Sequence, residues 1–83
     1  MTRDDILEEL RALIQRHLDG PVNADLETDI QRDLELDSMK KLALIVEIEN
    51  RFRLSFEPED DLQTQTVGDL VSVIERHLDG NSR

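Results

Sequence analysis

The sequence has no cysteine, tryptophan or tyrosine, and only two aromatic residues, Phe52 and Phe56. Without cysteine, no disulfide staples the fold and no thiolate metal site forms. With so few aromatic rings, recognition of nucleic acid by base stacking has little to work with. Basic residues are also scarce: 10 against 20 acids, for a net charge of −10. Nucleic acids need cationic partners for their phosphates, so they are excluded as ligands. The same balance disfavours anionic membranes and favours steered encounters with basic surfaces. No apolar run approaches the roughly 20 residues of a membrane span, so no membrane insertion is expected. The start, Met1-Thr2-Arg3-Asp4-Asp5, lacks the basic and apolar regions of a signal peptide, and the expected location is cytoplasmic.

What is present is aliphatic. Leu, Ile and Val must supply nearly all of the core in a chain of 83 residues, read as one small, marginally stable domain over 1–83 and as a monomer. A first helix is predicted over Asp4–Leu18, with Thr2 as cap and Asp5 in the capping-box position. Ile6, Leu10, Leu13 and Ile14 form its apolar face, Leu7 and Leu18 lie at the edges, and Gly20-Pro21 stops it. A long loop from Asp19 to Asp37 follows. Val22, Leu26, Ile30, Leu34 and Leu36 are expected to pin it to the core, with a single turn at Thr28–Gln31.

The second helix is predicted from Ser38 or Met39 to Phe52, with Asp37 and Ser38 both suitable caps. Leu42, Ile45, Val46 and Phe52 trace its stripe, Glu49 interrupts it, and Leu44 and Ile48 widen it. This helix is expected at the centre of the bundle. Leu54-Ser55-Phe56 reads as an extended link. Pro58 opens a short third helix whose neighbours Glu57, Glu59, Asp60 and Asp61 read as a solvated acidic face, since the ordered spacing of a calcium loop is missing. No metal site is predicted. The last helix is expected over Val67–Leu78, boxed by Thr66 and Asp69, with Val67, Leu70, Val71, Ile74 and Leu78 inward and Gly80 as its stop. The fold class is therefore all-α, a four-helix bundle with a long first loop and a short third helix.

Ile14–Gly20 closely matches Ile74–Gly80. Both segments are helix ends using the same stop chemistry, and the match does not extend into a repeat. His17 and His77 sit there in dipole-favoured last turns and read as structural.

Charge is unevenly spread. Residues 1–37 hold 11 acids and 4 bases, residues 38–53 hold 2 acids and 4 bases, and residues 54–83 hold 7 acids and 2 bases. The second helix is thus the one non-acidic stretch. Ser38 opens it. A serine there is ordinarily a cap, but this one follows a long irregular segment, stands at the positive end of a helix dipole, and is flanked by Leu36 and Met39 as apolar docking surface beside Asp37. No histidine is near it in the sequence, and neither a Gly-rich phosphate loop nor a nucleophile elbow is present. A hydroxyl without a base is a poor nucleophile, so Ser38 is suited to being modified by another enzyme, and the chain is not read as an enzyme.

Asp33-Leu34-x-x-Asp37-Ser38-Met39, followed by a Leu-rich helix ending in Glu49-Asn50-Arg51-Phe52, resembles the acyl carrier protein family and its Asp-Leu-Gly-x-Asp-Ser-Leu pattern. Pro58 before the short helix and Thr66-Val67-Gly68-Asp69-Leu70 opening the last extend the likeness over nearly the whole chain. The resemblance implies 4′-phosphopantetheine attached to Ser38 by a phosphopantetheinyl transferase, which recognises flanking Asp37, with Met39 flanking the site on the other side. Acyl intermediates would ride on it as thioesters in fatty-acid, lipid or polyketide-type biosynthesis, served by acyl-loading and acyl-processing enzymes.

This sequence departs from the family pattern at several positions. Glu35 stands where the family usually has Gly, and Met39 replaces Leu, a volume-conserving change shared with D-alanyl carriers. Lys40 and Lys41 replace acidic or neutral residues, and Ala43 stands where Glu is frequent. Typical fatty-acid carriers dock an acidic helix on basic patches. Leu36, Met39, Lys40 and Lys41 would here offer a neutral-to-basic surface, which suggests a specialised carrier. An aminoacyl (D-alanyl-like) carrier is the nearer alternative, and a small acidic helical interaction module without prosthetic group is the further one.

Overall fold

The computed structural model describes residues 2–18 and 23–81. Four helices follow in order: α1 (Arg3–Gln15), α2 (Ser38–Phe52), α3 (Pro58–Gln63) and α4 (Val67–Asn81). Thr2 caps α1 in extended conformation. Its hydroxyl accepts from Asp5 N at 3.1 Å while Asp5 Oδ2 accepts from Thr2 N at 3.1 Å, so both halves of the capping box form. The helix ends at Gln15, short of the expected Leu18. His17 N and Leu18 N instead bond three residues back, to Ile14 O and Gln15 O, which tightens the last turn. The predicted stop at Gly20-Pro21 and the anchor Val22 lie outside the described residues.

Ile6, Leu10, Leu13 and Ile14 are buried as their spacing requires. They make α1 the element that packs against both α2 and α4. The expectation that α2 is the centre is therefore corrected. Its buried set is Leu44, Ile45, Ile48 and Phe52, whereas Leu42 and Val46 are exposed. Two overlapping helical phases were present in α2, and the core takes the one centred on Leu44 and Ile48. Glu49 holds the link to α3, accepting from Phe56 N at 2.8 Å through its side chain and from Leu54 N at 3.1 Å through its carbonyl. Arg53 closes α2 in the left-handed conformation, φ 56°. α4 continues through Gly80 to Asn81, past the predicted end, and buries Val73 in addition to Val67, Leu70, Val71 and Ile74.

Asp60 departs most from its reading as solvated. It is buried, accepts from Glu57 N at 2.9 Å, contacts His77 Nε2 at 2.9 Å and pairs with the Arg76 guanidinium. His77 also stacks on Phe56, with ring centroids 6.1 Å apart. The six residues of α3 are too few to hold a helix alone. One carboxylate joins them to α4.

The loop between α1 and α2 is laid against the start of α4 by backbone bonds. Gly68 N donates to Leu26 O, Val67 N to Thr28 O, and Ile30 N to Gln65 O, each at 2.9 Å. Asp29 pairs with Thr66 as an isolated antiparallel bridge. Asp29 also caps the turn that follows, accepting from Arg32 N at 2.7 Å, while its own N–H donates to Asp33 Oδ2 at 2.8 Å. The tight turn therefore closes at Asp33, two residues later than expected. Ile30, Leu34 and Leu36 anchor the loop; Leu26 does not, and Ala24 is buried in its stead.

Gly68 is required by this contact, since a Cβ there lies 2.8 Å from Leu26 O. Gly68→Ala should cost about 1–3 kcal/mol, the range for forcing extra volume into a packed site, read by urea denaturation. Asp60 gives a pH dependence. Chiefly the Glu57 N–H, helped by His77 and Arg76, holds its carboxyl below the ordinary value of 3.8 despite burial. A depressed carboxylate contributes stability present above pH about 4 and lost as pH falls through its folded value. Asp60→Asn should flatten the acid limb of the stability profile below that pH, measured by thermal melts.

Candidate functional site

Ser38 is the first residue of α2, and Asp37, not Ser38, is its cap. Asp37 is extended, φ −73° and ψ 179°, and its carboxylate accepts from Lys40 N at 2.9 Å while its carbonyl accepts from Lys41 N at 2.8 Å. The Ser38 side chain is exposed and makes no hydrogen bond among the described residues. The amides of Ser38 and Met39 likewise donate to no protein group there. A free hydroxyl thus stands beside two free first-turn N–H groups at the positive end of a fifteen-residue helix. A phosphodiester on that oxygen meets donors and a favourable dipole, so the residues fit the prosthetic group.

Just before the cap, Glu35 adopts φ 54°. This left-handed conformation suits glycine and strains other residues. The turn keeps its shape with Glu35 in place because Leu34 and Leu36 on either side are fixed in the core.

The residues expected to form a docking surface separate. Met39 is 82% exposed and Lys40 is exposed. Leu36 is only 1% exposed and packs in the core, so it is removed from that surface. Lys41 turns the other way, its Nζ donating to Thr64 O at 2.8 Å, and joins α2 to the segment before α4. Its long stem lets an ammonium close a gap on the core side of the helix. Beside Ser38 lies a cleft of about 260 Å³ lined by Gln31, Ser38, Lys41, Leu42 and Ile45. Gln31, Leu42 and Ile45 were not singled out as site residues. Met39, Leu42 and Val46, spaced by three and four, were readable as a second apolar phase. Leu42 and Val46 are 59% and 46% exposed.

Neither histidine approaches this site. His17 contacts Glu47 at 3.3 Å and His77 contacts Asp60. Among the described residues no group of three or more His, Cys, Asp or Glu is placed to hold a metal ion, and no helix is long and apolar enough to cross a membrane.

Comparison with known proteins points the same way. The sequence profile described as the phosphopantetheine attachment site matches residues 8–74. "Acyl carrier protein 3" of Ralstonia nicotianae is 33% identical over 79 residues, covering 94% of this chain and 91% of that protein. Among solved structures, a Mycobacterium tuberculosis protein assigned as an acyl carrier superposes with a TM-score of 0.79, at 30% identity over 83% of this chain and 93% of its own. The acyl carrier protein of Enterococcus faecalis gives a TM-score of 0.75, at 27% identity over 93% of this chain and 99% of its own.

The local geometry separates two adjacent residues. Asp37→Ala should cost about 0.5–2 kcal/mol by removing the cap, while Ser38→Ala should stay within about 0.5 kcal/mol of wild type. Glu35→Gly should stabilise by about 0.5–1 kcal/mol, the left-handed strain relieved less the extra freedom of glycine in the unfolded chain. Denaturation midpoints of the three variants check this order.

Proposed function

We propose that this chain, which belongs to the phosphopantetheine-binding acyl carrier protein family, bears acyl intermediates as thioesters on an arm attached at Ser38. Members of the family are carriers and not enzymes, and they hold 4′-phosphopantetheine covalently. When bound, the group supplies a thiol at the end of a flexible arm. The observation that carries the assignment to Ser38 is its exposed, unpartnered hydroxyl on the first turn of α2, next to free amides.

In this reading Asp37 fixes the turn so that Ser38 Oγ faces outward. A phosphopantetheinyl transferase takes the hydroxyl proton, Ser38 Oγ bonds to phosphorus, and the pyrophosphate link of coenzyme A breaks to release 3′,5′-ADP. The Ser38 and Met39 amides would hold the phosphodiester once it is formed. Met39 and Lys40 form the docking surface for the transferase and for acyl-loading and acyl-processing enzymes. The carrier acts as a monomer in the cytoplasm, in a fatty-acid, lipid or polyketide-type pathway. Met39, shared with D-alanyl carriers, keeps an aminoacyl cargo as the second reading, and the thioester recovered from the loaded protein separates the two.

The test is the intact mass of the protein incubated with coenzyme A and a broad-specificity transferase. One phosphopantetheine should be added, mapped to Ser38, and Ser38→Ala should abolish it without unfolding the protein. Loading retained in that variant overturns the assignment.

A further inference from the structure

Nine of the ten lysines and arginines lie among the described residues. Six are engaged: Arg3 with Glu75, Arg11 with Ala24 O, Arg32 with Asp33, Lys41 with Thr64 O, Arg51 with Glu9, and Arg76 with Asp60. The other three, Arg16, Lys40 and Arg53, have no partner there. Two of these three line one cleft. It has a volume of about 480 Å³ and is formed by Leu13, Arg16, Glu47, Asn50, Arg51 and Arg53, where the ends of α1 and α2 meet. Its acid, Glu47, faces His17 at 3.3 Å, and Arg51 is held by both oxygens of Glu9 at 2.8 Å.

Cations at helix C-termini are favoured by the dipole, and Arg16 and Arg53 are the C-caps of α1 and α2. That accounts for each one singly. It does not account for two guanidinium groups lacking a carboxylate, on the same cleft, in a chain with 20 acids and 10 bases.

The cleft is also continuous with the site. Along α2, Met39, Leu42, Ala43, Val46 and Asn50 fall on one outward face, and all five are exposed. None is acidic. The two acids of α2, Glu47 and Glu49, are turned to His17 and to Phe56 N. At about 1.5 Å per residue this face runs roughly 20 Å from Ser38 to Arg53.

We propose that the Arg16–Arg53 cleft is a second docking point, remote from Ser38, for an acidic patch on a partner enzyme seated along α2. The proposal rests on the carrier reading and adds the chemistry of the partner: apolar opposite Met39, Leu42 and Val46, and carboxylate-bearing opposite the two arginines. Guanidinium forks bind carboxylates through paired hydrogen bonds and give such a contact direction as well as charge.

The test is a titration of the full-length ¹⁵N-labelled protein with a capped hexaglutamate peptide, followed by NMR. Saturable shifts should concentrate at Arg16, Arg53 and their backbone neighbours. R16A/R53A should weaken binding at least fivefold, and R3A should leave it unchanged. Shifts scattered over the surface, or binding unaffected by R16A/R53A, overturn the proposal. So does tighter binding of inorganic pyrophosphate than of the peptide at the same residues, which would make the cleft a small-phosphate site. Transfer of phosphopantetheine to Ser38 is measured in parallel on the same proteins. R16A/R53A should be loaded as wild type is by a broad-specificity transferase, and failure of the wild type to load would count against the carrier reading alone.

Discussion

The presentation of Ser38 depends on the backbone contact between the first loop and the start of α4. Three N–H donors, on Ile30, Val67 and Gly68, satisfy carbonyls across that seam. A segment this long has many peptide groups to satisfy, and each left buried without a partner is costly. Here they are paired without a sheet. Ile30, Leu34 and Leu36 can therefore enter the core, and the chain reaches Asp37 at a fixed angle. Gly68 makes the seam possible by having no side chain where Leu26 O must pass.

A second constraint is charge. Most of the acids repel one another across a small body, and the fold answers by assigning several of them to local duties. Asp5, Asp29, Asp37, Asp60 and Asp69 each accept from a backbone N–H near a turn or helix start. Where the backbone donates to an anion, the interaction is charge-assisted and needs no basic side chain. That leaves cations to spare despite their scarcity, and they gather at the two ends of α2.

Much of this was legible in the sequence. Helix order, both capping boxes, the faces of α1 and α4 and the exposure of Ser38 follow from spacing and residue type. Three things did not. The phase of α2 was ambiguous because its apolar residues cover two overlapping stripes, and only the position of α1 decides between them. The burial of Asp60 was hidden because its partners, Arg76 and His77, lie on another helix 16 and 17 residues away. The inward placement of Leu36 could not be read from its neighbours, since an irregular segment has no period from which to infer a face. The departure at Glu35 pointed to the turn before the site, and its left-handed backbone gives that substitution a physical meaning.

Lys41 ties the first turn of α2 to the carbonyl of Thr64, in the segment that follows α3, and the same ammonium stem walls the cleft beside Ser38. The two segments are thereby joined through a donor carried on four methylenes. One side chain thus serves both as a wall of the cleft and as a tie between two elements, so a change at Lys41 alters the surroundings of Ser38 and the docking of α2 together.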